Sequence, residues 1–104
     1  MTGKRSKLTI SVHAGSHGDR QHRGTVTPIF PSTAYDYEDV SSTLYPRYFN
    51  TPNQTSVAEK LAALENAADG IIFSSGMAAI LTTLCAMVKK GDHGSLQGDL
   101  YGGT

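Results

Sequence analysis

The chain has 104 residues, enough for one small domain and not for two. Nine basic and nine acidic side chains cancel, which argues against a nucleic-acid partner or a membrane-surface patch. The single cysteine, Cys85, excludes a disulfide framework, and no apolar run is long enough to span a bilayer.

Lys4, Arg5 and Lys7 open the chain without an apolar stretch behind them, so no secretory signal is expected and a reducing cytoplasm fits. Residues 1–24 are polar and carry Gly3, Gly15, Gly18 and Gly24. Within them only Leu8-Thr9-Ile10-Ser11-Val12 alternates, as a strand or an extended arm would. His13 and His17 stand four apart, but Gly15 and Gly18 weaken any helix there. No cysteine or carboxylate pattern completes a metal site.

Pro28 and Pro31 forbid a helix over 25–40 and discourage a central strand. Ile29, Phe30, Tyr35 and Tyr37 are expected to lie against later sequence or against another subunit. Over 41–54, Tyr45, Arg47, Tyr48 and Phe49 sit between a serine-rich turn and a proline. Arginine gives a planar, forked grip on phosphate or carboxylate; the plainer reading is a surface turn with aromatics packed beneath it. Thr51-Pro52-Asn53-Gln54 predicts a helix start, with Thr51 at the N-cap, Pro52 at the first position and Gln54 closing a capping box. Val57, Leu61 and Leu64, with Ala58 and Ala62 beside them, form one apolar face. Glu59 and Lys60 face outward, and the helix is expected to end between Asn66 and Asp69.

Residues 70–90 read as strand, small-residue turn and helix. Ile71-Ile72-Phe73 is a short apolar, partly β-branched run, and Ser74-Ser75-Gly76 is a turn signal. Met77, Ile80, Leu81, Leu84, Met87 and Val88 then recur at helical spacing. Lys89 and Lys90 are placed in the last turn and Gly91 at the stop; Cys85 is expected to be a small buried hydrophobe. The first turn of such a helix has free backbone amides and the positive end of the dipole. It can therefore receive a phosphate when nothing bulky blocks the approach; the plainer reading is an ordinary strand–helix unit with a serine N-cap. Beyond Gly91, Gly94 and Ser95 are poor material for another strand. Tyr101 precedes Gly102 and Gly103, which let backbone come close to a ligand or another chain.

Five stretches, in order, resemble one family. They are Val12-His13-Ala14-Gly15; Thr27-Pro28-Ile29-Phe30-Pro31-Ser32-Thr33; Tyr45-Pro46-Arg47-Tyr48 with Asn50 and Pro52; Phe73-Ser74-Ser75-Gly76-Met77-Ala78-Ala79; and Gly91-Asp92-His93 followed by Asp99-Leu100-Tyr101-Gly102-Gly103-Thr104. The chain is similar to the trans-sulfuration enzymes of cysteine and methionine metabolism, of cystathionine γ-synthase and γ-lyase type, which use pyridoxal 5'-phosphate. The resemblance implies an α/β fold: an extended N-terminal arm over 1–50, then the beginning of the large domain of a fold-type I transferase over 51–104. It implies that Gly76 and Met77 cradle the cofactor phosphate with backbone amides. It implies that Tyr45 and Arg47 reach that phosphate from a neighbouring subunit, so that the active site is shared in a homo-oligomer. It implies that Tyr101 stacks on the pyridine ring, and that the substrate is a sulfur-containing amino acid whose C–S bond is formed or cleaved.

Two positions depart from the family pattern. Thr51 separates Asn50 from Pro52, and Gly94-Ser95 stand where the family is apolar. The family's Schiff-base lysine, and the aspartate that pairs with the pyridine nitrogen, lie downstream of its Tyr-Gly-Gly motif. Lys60, Lys89 and Lys90 do not have the matching context. The expectation is therefore an N-terminal portion that is inactive alone. The alternative is a non-catalytic module that docks on a full-length relative through its arm.

Overall fold

A computed structural model describes residues 5–38 and 40–104; Gly3, Lys4 and Asp39 lie outside the described residues. The chain divides into two compact units, one ending at Ile72 and the other running from Phe73 to Thr104.

In the first unit, α1 spans Lys7–His13 and α2 spans Pro52–Glu65, and the two pack together. The strand or extended arm expected at Leu8–Val12 is thus a helix. Local bonds decide it: Ser6 caps it by accepting from the Thr9 amide at 3.2 Å, and Ser11 Oγ donates back to Leu8 O at 2.8 Å. The chain then turns at Gly15, φ +64°, pressed against α2. A Cβ there would lie 2.2 Å from Ser56 O and 2.9 Å from the Lys60 amide nitrogen, so the close approach demands glycine. Ser56 Oγ fastens the contact by donating to Gly15 O at 2.6 Å. His17 Nε2 lies 2.9 Å from Glu59 Oε2, which draws the outward Glu59 into the same seam.

Of the residues expected to lie against later sequence or another subunit, Phe30 is tied to later sequence, while Ile29 and Tyr37 stand exposed in this chain. Asn53 accepts from the Phe30 amide at 3.1 Å and donates to Phe30 O at 2.7 Å, which fixes the proline-rich stretch across the start of α2. That start is the one its spacing predicts: Gln54 Oε1 accepts from the Thr51 amide (3.3 Å) and from the Thr51 hydroxyl (2.7 Å). At the other end Asn66 takes the left-handed conformation, φ 57°, and Ala62 O receives the Asn66 and Ala67 amides. Gly70 then passes close to Ala58 O, 3.1 Å from where a Cβ would stand. Only Thr51 and Ala62 are buried among the described residues; Val57 and Leu61 of the predicted apolar face remain exposed.

In the second unit, α3 spans Gly76–Met87 and stops one turn earlier than expected. Val88 is its extended C-cap. Lys89 and Lys90 lie past the helix end in a turn closed by Lys89 N–H donating to Asp92 Oδ2 at 2.7 Å, with Gly91 at φ +101°. Met77, Leu81, Leu84 and Met87 are exposed, and so is Cys85, which corrects the expectation of a buried thiol. Among the described residues of this unit none is buried, so no core exists there for Cys85 to join.

Among the described residues there is no strand, only an isolated antiparallel bridge between Asp19 and Gly24. Ile71-Ile72-Phe73 and residues 94–96 are irregular. A strand exists only through a ladder of backbone hydrogen bonds with its neighbours, and among the described residues neither segment is assigned one. No helix among the described residues is long and apolar enough to cross a membrane.

Candidate functional site

Tyr45 and Arg47 share one 3₁₀ turn, Pro46–Tyr48, just ahead of α2. Pro46 supplies a fixed φ at its first position. The Tyr48 amide donates to Tyr45 O at 2.8 Å, and Phe49 leaves the turn in the left-handed conformation, φ 55°. Two amide side chains hold the turn in place. Asn50 accepts from the Tyr45 amide and donates to Thr43 O, both at 2.9 Å, and Gln54 Nε2 donates to Pro46 O at 3.0 Å. The Tyr45 and Tyr48 rings meet edge to face, centroids 5.2 Å apart. Tyr45, Arg47 and Tyr48 are exposed, and among the described residues Arg47 is in no ion pair. The turn therefore presents an uncommitted guanidinium and two phenols on a fixed backbone.

Gly76 and Met77 are the first two residues of α3. Ser75, extended at φ −152°, caps the helix by accepting from the Ala78 amide at 3.1 Å, and Ser75 O takes the Ala79 amide at 3.2 Å. The amides of Gly76 and Met77 precede any carbonyl the helix could offer them. A Cβ added at Gly76 would meet nothing within 4 Å, and Ser74, Ser75 and Met77 are exposed. The result is an open helix end with two available donors, flanking hydroxyls and the positive end of the dipole: a receptor for an anion.

Tyr101 sits in a turn closed by the Thr104 amide donating to Tyr101 O at 2.8 Å. Its ring lies over Gly103, where a Cβ would be 2.7 Å from Cε1. It does not follow a strand, because Gly94 to Leu96 form none among the described residues; the ring is exposed. Of the five residues expected at the site, Tyr45 and Arg47 thus share one turn of the first unit. Gly76 and Met77 share one helix start in the second unit, and Tyr101 occupies a separate turn of that unit.

Two concavities of about 600 and 530 Å³ open on the first unit. The first is bordered by His17, Asp19, His22 and Phe30, the second by Val12, Ser56, Val57 and Leu61; neither touches Tyr45 or Arg47. In the first, the His22 amide bonded to Asp19 Oδ1 at 3.2 Å holds that carboxyl below its ordinary pKa. His22 Nδ1 and the Gln21 amide assist, against a smaller opposing effect of desolvation. Among the described residues no three histidine, cysteine or acidic side chains gather around a point that could hold a metal.

Comparison with known proteins places residues 8–104 in one family. A family model for Cys/Met metabolism PLP-dependent enzymes matches residues 8–104. The chain is 46% identical over 84 residues to a cystathionine gamma-synthase/O-acetylhomoserine (thiol)-lyase of Bacillus subtilis, covering 78% of this chain and 22% of that protein. It is 38% identical over 100 residues to a cystathionine gamma-lyase of Saccharomyces cerevisiae, covering 92% of this chain and 25% of the relative. It is 36% identical over 106 residues to a cystathionine gamma-synthase of Haemophilus influenzae, covering 100% and 28%. The chain thus spans roughly a quarter of the length of the curated relatives it matches. No solved structure matches it.

Proposed function

The chain belongs to the pyridoxal-phosphate-dependent enzymes of cysteine and methionine metabolism, and we propose that it supplies the cofactor-phosphate cradle of an enzyme that forms or cleaves a C–S bond in a sulfur-containing amino acid. The observation that carries this reading is the open start of α3, where the amides of Gly76 and Met77 have no helical acceptor and a Cβ added at Gly76 would meet nothing within 4 Å. A phosphate is the group such an end receives best. The donor set fits the cofactor's phosphate and leaves its ring to Tyr101, whose exposed face can stack on a pyridine.

The cofactor, when bound, supplies the electron sink that stabilises a carbanion next to the substrate amine. This chain's residues bind and orient. Gly76 and Met77 donate to the phosphate, Arg47 adds a charge-assisted fork and Tyr45 a hydroxyl from a neighbouring copy, and Tyr101 keeps the ring flat. The exposure of the Tyr45–Tyr48 turn supports its reaching out to another subunit in a homo-oligomer. Residues 1–50 act as the inter-subunit arm. Residues 51–104 begin a fold-type I α/β domain, whose strands at 71–73 and before Tyr101 form when neighbouring strands are supplied. The cytoplasm is the compartment that suits an enzyme of this kind with an exposed thiol.

The test is cofactor titration of the complete gene product, followed by absorbance. Arg47→Ala removes a charged hydrogen-bonding partner, an interaction of about 1.5–3 kcal/mol, and should raise the cofactor Kd by at least about tenfold. An unchanged Kd refutes the reading. The 104 residues alone should show no turnover of cystathionine.

A further inference from the structure

Asn50 is not among the residues expected to grip the phosphate, yet its side chain is bonded to the backbone on the entering side of the turn that carries Arg47. Its side-chain oxygen accepts from the Tyr45 amide and its side-chain nitrogen donates to Thr43 O, both at 2.9 Å. One planar amide thereby spans the segment entering the 3₁₀ turn, while Asn50 itself sits where the chain leaves it. Between these points Phe49 is left-handed at φ 55°, a conformation that local propensity does not favour and that neighbouring bonds must hold. Gln54 completes the hold from α2 through Pro46 O at 3.0 Å.

We propose that Asn50 is a positioning residue for cofactor binding: it holds the turn that carries Arg47, so that the guanidinium is aimed before any phosphate arrives. This rests on the reading that Arg47 grips the cofactor phosphate. The physical gain is preorganisation: a turn already fixed does not lose its freedom on binding. Asparagine suits the task because donor and acceptor lie on one short, rigid group.

The experiment is a double-mutant cycle on the complete PLP-loaded enzyme, with cofactor Kd read by absorbance titration and amide exchange read at Tyr45 to Tyr48. Asn50→Ala should raise the Kd about five- to tenfold and speed exchange of the Tyr45 amide, with far-UV circular dichroism unchanged. In the Arg47→Ala background the same substitution should change the Kd less than twofold, because the group it aims is gone. Equal losses in both backgrounds would show a general structural role and overturn the proposal. An Arg47→Ala loss with no effect of Asn50→Ala would overturn it too, leaving the phosphate reading intact. If Arg47→Ala has no effect, both fall. Should Asn50→Ala give no soluble enzyme, Asn50→Ser, whose hydroxyl is too short to span both groups, carries the same comparison.

Discussion

Gly15 and Ser56 are 41 positions apart and joined by a 2.6 Å hydrogen bond; Phe30 and Asn53, 23 apart, exchange two more. From Ser74 onward, the hydrogen bonds among the described residues join positions no more than four apart. The first unit is thus stitched by polar ties between an N-terminal arm and one helix, with almost no apolar burial. The second is local structure that displays its apolar side chains. The difference shows where each half draws its order: one from within, the other from whatever covers α3. Arg47 stands on a fixed turn of the first unit, and Gly76 on a helix start of the second.

The comparison breaks most readily at Gly15. Gly15→Ala combines a positive φ with a Cβ 2.2 Å from Ser56 O. It should destabilise the first unit by at least about 2 kcal/mol, read as a lower urea midpoint. An unmoved midpoint would mean that the arm is not tied to α2 at all. A smaller effect is expected from Ser75→Ala, which removes the acceptor of the Ala78 amide and should cost α3 about 1 kcal/mol. Faster amide exchange confined to the first turn of α3 would sharpen the contrast; a loss spreading into α2 would erase it. The smallest effect belongs to Asp19. Its pKa is depressed in the folded chain, so the stabilisation it gives the 19–24 turn is present above the ordinary carboxylate value near 3.8 and is lost as pH falls through the lower folded value. An NMR titration of the Gln21 and His22 amides should show a midpoint below 3.8. A midpoint at or above it would remove that tie from the account.

What was legible in the sequence followed from how far each signal had to reach. Thr51, Pro52 and Gln54 announce α2 because a capping box acts within one turn, and Ser75 announces α3 for the same reason. The alternation of Leu8 to Val12 misled because the N-cap at Ser6, and docking on α2, outweigh β-branched propensity in a seven-residue segment. Ile71 to Phe73 carries a strand's composition, but a strand is defined by its ladder, and among the described residues there is none. The motif residues Tyr45, Arg47, Gly76, Met77 and Tyr101 were visible by resemblance. The bonds that Asn50 makes were not, because they depend on the left-handed Phe49 that folds the chain back on itself.

The Gly15 seam also bears on the order in which the chain takes shape. A seven-residue helix is far below the length that holds in water unaided. The groups that secure it, Ser56, Glu59 and the backbone of Lys60, are all synthesised more than forty residues later. The part of the first unit that leaves the ribosome first is therefore the part that settles last, after α2 has been made and wound.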